Sequence, residues 1–302
     1  MMRIGVDFGG TKIEAAALDA EGRFQARVRA PNPGDYAKAL QAVRDLVDEV
    51  ERRVGACDSI GVGGPGSISS LCGMVRNANS TLLNGRAFHL DLEQILGRPI
   101  RIANDANCLA LSEAADGAAA GRRVVFAGIL GTGCGAGVVV DGRLIEGRNG
   151  VAGEWGHIPL PWPAGAETAG PECWCGRRGC LETYISGTGL ARDHEQATGQ
   201  RLTGEQVVAA ADAGDEHAQA ALDRYIDRLA RGLAVIVNVL DPDAIVLGGG
   251  MSNVNQLYDR LPQAISRWIF SDVFETDIVK AAHGDSSGVR GAAWLWPLAT
   301  DR

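Results

Sequence analysis

The chain has 302 residues, 46% hydrophobic and 22% charged, which is the composition of a globular protein long enough for two domains with separate cores. Its 37 acidic and 29 basic side chains leave a formal charge of -8 without any Lys/Arg block, which argues against a nucleic-acid partner. No apolar stretch approaches a membrane span, MMRIGVDFGG lacks the series of a signal peptide, and seven cysteines, an odd number, are expected as reduced thiols in the cytoplasm.

RIGVDF (3–8) reads as a short strand ending in a glycine pair, and 12–18 resumes as a second strand, so the two form a hairpin with Asp7 at the turn end. Residues 36–54 carry Leu40, Val43, Leu46, Val47 and Val50 at helical spacing, followed by the strand-like SIGVG at 59–63. Residues 101–104 are a further strand and 106–116 the helix after it. Strands and helices in alternation predict an α/β architecture.

A second cycle starts at Arg123. VVFAGIL (124–130) is an apolar strand, GTGCGAG (131–137) a glycine turn, and VVV with DGR (138–143) a strand and hairpin turn, echoing RIGVDF, GGTK and IEAAAL as a diverged duplication. Beyond the Pro-rich stretch 159–180, residues 218–240 form a long amphipathic helix that stops at Asp241-Pro242, and AIVLGGG (244–250) is a buried strand. The small-residue run GAAAG (117–121) marks the boundary between a first lobe, 1–118, and a second, 119–288.

Three glycine turns follow three apolar strands: DFGGTK (7–12), GTGCGAG, and GGGMSN (248–253). Amide N–H groups in such turns form anion nests without cationic side chains, so an acidic chain can still hold a polyphosphate. None matches the Walker loop, nor GxGxxG opening a helix, so an oxidoreductase built on that unit is disfavoured. Asn104 and Asp105 stand where a strand meets a helix; Asp105 reads either as a helix N-cap or as a base toward a substrate hydroxyl. Glu154 and His157 in AGEWGH, and Glu182, are either plain surface polarity or ligand contacts.

PECWCGRRGC (171–180) gathers Cys173, Cys175 and Cys180, and His157 can add a nitrogen. Three sulfurs and one nitrogen make a closed zinc shell, hence a structural metal; an accidental cluster or a redox pair are the alternatives. Cys57, Cys72, Cys108 and Cys134 are scattered and read as small core or turn residues.

DFGGTK, PGS (65–67), NANST (77–81), NDANC (104–108), GTGCGAG, GEWGH, CxCGxxGCxE and VLGGGMSN together resemble the ROK family of bacterial sugar kinases, over the whole chain through HGDSSGVRGAAWLW (283–296). Within it, NANST, LLNG (82–85) and AGEWGHIPLPW look most similar to fructokinases that also accept mannose. The resemblance implies an actin-like, hexokinase-like fold, a duplicated ribonuclease H-like α/β unit with two lobes around a cleft, the last helix (289–302) returning to the first lobe. It implies that Asp7 organises Mg2+, and that Gly9, Gly10, Thr11, Lys12, Gly131, Thr132, Gly133 and Gly135 hold the phosphates of ATP. Gly249, Gly250 and Asn253 then border the adenosine. Asp105 becomes the general base, and Gly66, Asn79, Asn104, Glu154, His157 and Glu182 contact the sugar. The implied activity is phosphorylation of the 6-hydroxyl of fructose, with mannose or glucose as further substrates; an N-acetylglucosamine kinase or a non-catalytic sugar sensor are the alternatives. A homodimer is implied. Repressors of the family carry a helix-turn-helix segment before DFGGTK, and its absence here favours an enzyme.

Overall fold

β1 (Arg3–Phe8) and β2 (Lys12–Leu18) form the expected antiparallel hairpin, in register from Arg3↔Leu18 to Phe8↔Ile13. The computed structural model describes residues 2–69, 71–78 and 82–296. β3 (Phe24–Pro31) extends the hairpin to a meander that the sequence reading does not anticipate. Its polar face has a tertiary cause, because Arg27 and Arg29 turn to the buried carboxylate of Glu14 on β2.

α1 (Tyr36–Val54) is capped by Asp35, which accepts the N–H of Lys38 at 3.0 Å, and it buries Ala39, Val43, Leu46, Val47 and Val50. Then come β4 (Ser59–Gly64), the two-stranded ribbon β5 (Ser67–Ile68) and β6 (Val75–Arg76), and α2 (Phe88–Leu96). β7 (Arg101–Asn104) and α3 (Asp105–Ala115) follow. The first sheet has the order β3-β2-β1-β4-β7, with β1, β4 and β7 parallel.

The second cycle supplies β8 (Val124–Leu130), β9 (Cys134–Val140) and β10 (Arg143–Leu144). Four helices follow: α4 (Glu182–Ile185), α5 (Gly187–Thr198), α6 (Gly204–Asp212) and α7 (Glu216–Leu240). α7 starts two residues earlier than its apolar spacing suggests, because Asp215 caps it by accepting the N–H of Ala218. It ends at Asp241 in the left-handed region. β11 (Ala244–Gly248), α8 (Gln256–Ser266), β12 (Asp277–Lys280) and α9 (Ser287–Ala293) complete the described residues; of the expected last helix, positions 297–302 lie outside them. The second sheet runs β10-β9-β8-β11-β12. In order of appearance both sheets read third, second, first, fourth, fifth, which is the duplication the two glycine turns hinted at.

One compact unit comprises the chain up to Gly121, Gly137–Ala152 and the residues from His283; the other comprises Arg122–Ala136 and Gly153–Ala282. In the first, Ile4, Val6 and Phe8 join the core beneath α1, together with Val43, Val47 and Val50. Glycines on the strands let α9 lie against them. A Cβ on Gly5 would sit 1.8 Å from the carbonyl oxygen of Val289, and one on Gly61 1.8 Å from that of Ala292. Among the described residues, no helix is long and apolar enough to cross a membrane.

Candidate active site

In the first unit, β1, β4 and β7 end along one edge of the sheet, the carboxyl edge where open α/β sheets bind ligands. Register sets Asp7 beside Gly63 and Gly64 beside Asn104. Asp7 and Asn104 are thus two strand spacings apart, about 10 Å, with only glycine between them. Gly63 cannot carry a side chain, since its Cβ would lie 2.8 Å from Cys108 Sγ. Gly66 follows at φ +83°, where a Cβ would lie 2.6 Å from the carbonyl oxygen of Arg76. Asn79 lies outside the described residues.

The capping reading of Asp105 fails, because the cap of α3 is Asn104. Its Oδ1 accepts the N–H of Asn107 at 2.8 Å, and Asp105 is the first helical residue. Its carboxylate Oδ1 accepts the N–H of Ala106 at 2.9 Å. Asp105 keeps a water-accessible face, yet the protein packed around it dominates its charge energetics. Desolvation raises its pKa above the usual 3.8, against the pull of the backbone N–H groups of Ala106 and of Asp105 itself. Burial pushes Asp7 up to about 6; Glu14 adds to this, Lys12 opposes it, and Asp105 adds again. A carboxylate so placed is stabilised by a hard divalent cation, so the donor chemistry fits Mg2+.

The Gly9–Lys12 turn closes by the N–H of Gly9 donating to the carbonyl of Lys12 at 2.9 Å. Asn32 holds it through Nδ2 to the carbonyl of Gly9 at 2.8 Å. Gly10 and Thr11 are exposed, and Lys12 Nζ stands 3.9 Å from Glu14 Oε2.

In the second unit, the turn after β8 and the turn after β11 are neighbours, because Gly248 pairs with Ile129 in a parallel ladder. Gly249 sits at φ +80° with its would-be Cβ 2.6 Å from the carbonyl oxygen of Leu130, so only glycine fits. Asn253 Nδ2 donates to the carbonyl of Gly250 at 3.1 Å. The Gly131–Gly135 turn is braced from three sides. The N–H of Gly187 donates to the carbonyl of Gly131 at 2.7 Å, and Thr188 Oγ1 to that of Thr132 at 2.7 Å. Glu182 Oε2 accepts the N–H of Cys134 at 2.9 Å. The GEWGH segment lies against the same turn: Trp155 Nε1 donates to the carbonyl of Gly135 at 3.3 Å, and a Cβ on Gly156 would reach within 2.4 Å of the Cys134 carbonyl oxygen. Glu154 is exposed beside them.

His157, Cys173, Cys175 and Cys180 converge, their ligand atoms all within 4.8 Å of one another. The Cys173 Sγ to His157 Nδ1 separation is 3.7 Å, and Cys175 Sγ to Cys180 Sγ is 3.6 Å. A tetrahedron with zinc–sulfur arms of about 2.3 Å has edges of about 3.8 Å, so the set fits a zinc ion. The backbone explains the convergence. The N–H of Leu160 donates to Gly179 and that of Leu181 to Ile158, a short antiparallel ladder that pairs Pro159 with Cys180 and so keeps His157, two residues before Pro159, near the cysteine loop. Between the cysteines, the N–H of Cys173 donates to Arg177 and that of Gly176 to Cys173. Burial pushes the Cys173 thiol up and the Cys180 thiol up to about 12, and neighbouring thiols add to the cost of further charge. Of the remaining cysteines, Cys57, Cys108 and Cys134 are buried and Cys72 is exposed in a turn.

One residue that motif spacing does not single out joins these parts. Trp174 donates its indole N–H to Glu182 Oε1 at 2.8 Å, and its ring meets His157 edge-on at 5.0 Å between centroids. Only its position between two ligand cysteines could have drawn attention to it.

Comparison with known proteins matches this arrangement to one family. The ROK family model covers residues 3–299. The N-acetyl-D-glucosamine kinase of Pectobacterium atrosepticum is 41% identical over 299 residues, 97% of this chain and 98% of that one. That of Escherichia coli O6:H1 is 40% identical over 97% and 99%. Among solved structures, the ROK hexokinase of Thermus thermophilus is similar with a TM-score of 0.87 and 32% identity, covering 98% of this chain and 97% of that one. A ROK glucokinase from Streptomyces griseus in complex with glucose and AMPPNP gives 0.76 and 29% over 98% and 99%. The fold is therefore the expected actin-like, hexokinase-like two-lobe fold.

Proposed function

The chain belongs to the ROK family, and from that premise we propose that this sugar kinase transfers the γ-phosphoryl group of ATP to the 6-hydroxyl of N-acetylglucosamine. The observation that carries the choice of sugar is the end-to-end match to relatives named for it. The fructose expectation, which rested on the likeness of NANST, LLNG and AGEWGHIPLPW, has no such support and gives way to the acetamido sugar.

Asp105 is the general base: its carboxylate takes the hydroxyl proton as the sugar oxygen attacks phosphorus, and its raised pKa suits it to that task. The amides of the Gly9–Lys12 and Gly131–Gly135 turns, with Lys12, hold the phosphates, while Gly249, Gly250 and Asn253 border the adenosine. Mg2+ near Asp7 would supply charge neutralisation on the phosphates. Positioning and charge stabilisation are the main catalytic devices in phosphoryl transfer, which is why the site needs few reactive side chains. Gly66, Asn104, Glu154, His157 and Glu182 contact the sugar in this reading. Zinc held by His157 and the three cysteines would be structural, a closed shell that offers no open position. Reduced thiols and ATP both fit a cytoplasmic setting.

A coupled assay over N-acetylglucosamine, glucose, mannose and fructose tests the proposal. The acetamido sugar should give kcat/KM at least about tenfold above the others, the scale on which one well-made pocket contact discriminates. Preferred turnover of fructose would return the assignment to the fructokinase reading. Sugar-dependent ATP consumption excludes a non-catalytic sensor.

A further inference from the structure

Within the second unit, a cavity of about 510 Å³ is lined by α4, α5, α7 and the segment around Gly165–Ala169. Four arginines line it, Arg178, Arg192, Arg224 and Arg228, against two carboxylates, Glu167 and Asp193. In a chain of net charge -8, that is a local excess of positive charge. Three of the arginines have carboxylate partners. Arg228 donates to Glu167 and to Asp193 at 2.7 Å each, Arg224 to Asp193 through Nε at 2.9 Å and Nη2 at 2.7 Å, and Arg178 to Glu172 at 2.7 Å. Arg192 forms no ion pair among the described residues; its Nη2 donates to the carbonyl of Thr183. Burial moves its guanidinium below the ordinary arginine value, the direction expected of a half-buried cation lacking full compensation.

A guanidinium stays charged at neutral pH and offers a planar donor fork matched to phosphate. The volume decides how much more than a phosphate the cavity takes, since it falls in the range of sites for whole small molecules. We propose that this cavity is a sugar-phosphate site, in which Arg192 and the more exposed Arg178 take the phosphate while Gln196 and Asp193 face the sugar hydroxyls. Asp193 accepts hydroxyl protons in hydrogen bonds and Gln196 can both donate and accept, so a polyol is better matched than a purely anionic ligand. Thr183 and Tyr184 line the cavity immediately after Glu182, so the occupant touches the helix whose first residue braces the Gly131–Gly135 turn. Coupling to catalysis along that helix rests on the role proposed for Glu182; binding itself does not.

The test is calorimetric titration of the intact zinc-loaded enzyme, presaturated with its sugar and AMPPNP so that the catalytic site is filled. N-acetylglucosamine 6-phosphate should bind with one site per chain, and inorganic phosphate should compete at least tenfold more weakly. Arg192→Gln should weaken binding at least tenfold, and Arg178→Gln, whose side chain also donates to Glu172 and to the carbonyls of Ala169 and Gly170, severalfold, each measured on protein whose zinc content and circular dichroism match the parent. Absence of binding to the saturated enzyme overturns the site, as does an unchanged affinity in both variants. Inorganic phosphate binding as tightly as the sugar phosphate overturns the sugar half of the assignment.

Discussion

Glu182 accepts the backbone N–H of Cys134 at 2.9 Å, so a side chain two residues past the last cysteine of the metal-type cluster sets the position of a phosphate-type glycine turn. Its other oxygen is held by Trp174. The close approach requires Gly133 to be bare, since its Cβ would lie 2.8 Å from Glu182 Oε2. Glu182→Gln keeps the shape but loses the charged acceptor, and a hydrogen bond to a charged group contributes about 1.5–3 kcal/mol. The KM values for both sugar and ATP should rise and kcat/KM should fall about 10- to 100-fold. Steady-state kinetics in both substrates checks this; an effect confined to the sugar would separate Glu182 from the turn.

For Asp105, the expected behaviour follows from its being free of the capping role. Asp105→Asn should lower kcat by about 10²- to 10⁴-fold, the contribution typical of a general base, with sugar and nucleotide affinities retained. The active form is the carboxylate, and the folded protein raises its pKa above 3.8. Activity should therefore be lost as pH falls through that raised value, on an acid limb lying above pH 3.8 and absent from the residual rate of the variant. Asn104→Ala, by contrast, removes the cap and should cost about 1 kcal/mol of stability, read from thermal unfolding.

Much of this edge is legible in the chain itself. Apolar runs ending in glycine mark β1, β8 and β11, because a strand buried on both faces must be apolar and a backbone turned toward a ligand must be bare. The division of labour between Asn104 and Asp105 is not legible, since both residue types cap helices and only the backbone geometry decides which does. β3 escapes for a related reason: its arginines look like solvent-facing residues until Glu14 is seen across the ladder. Trp174 joins Glu182 and His157 through a fold of the loop that no periodicity encodes. The preferred sugar depends on contacts worth only a few kcal/mol, too fine for motif spacing to carry.

Zinc occupancy gives a separable prediction. The purified protein should contain one zinc ion per chain, measured by elemental analysis, and Cys175→Ser should abolish it. Chelation should release His157 and loosen Glu154 and Glu182. The glycine turn retains its bonds from Gly187 and Thr188, which do not involve the cysteine loop. The sugar KM should accordingly rise more than the ATP KM; equal losses would count against a positional role for the metal.

The last prediction concerns stability at low pH in the second unit, where Glu167 receives Arg228 Nε at 2.7 Å and Arg231 Nη2 at 3.0 Å. Both arginine side chains are nearly buried, at 9% and 4% exposure, so the carboxylate compensates charge that water cannot reach. Burial alone would push the Glu167 carboxyl up, but hydrogen bonds from Arg231, Arg228 and the N–H of Ala164 hold it at about 2, below its ordinary 4.5. A depressed carboxylate pKa means that the unfolded chain binds the proton more tightly, so the stabilisation is complete above the unfolded value and is lost as pH falls from about 4.5 towards 2. Glu167→Gln should cost of the order of 3 kcal/mol at pH 7, the scale for removing one partner of a buried ion pair. Denaturant unfolding at pH 7 and pH 3 checks the sign: the gap between the two proteins should narrow at pH 3, and a gap that widened there would show that Glu167 is not the group being titrated.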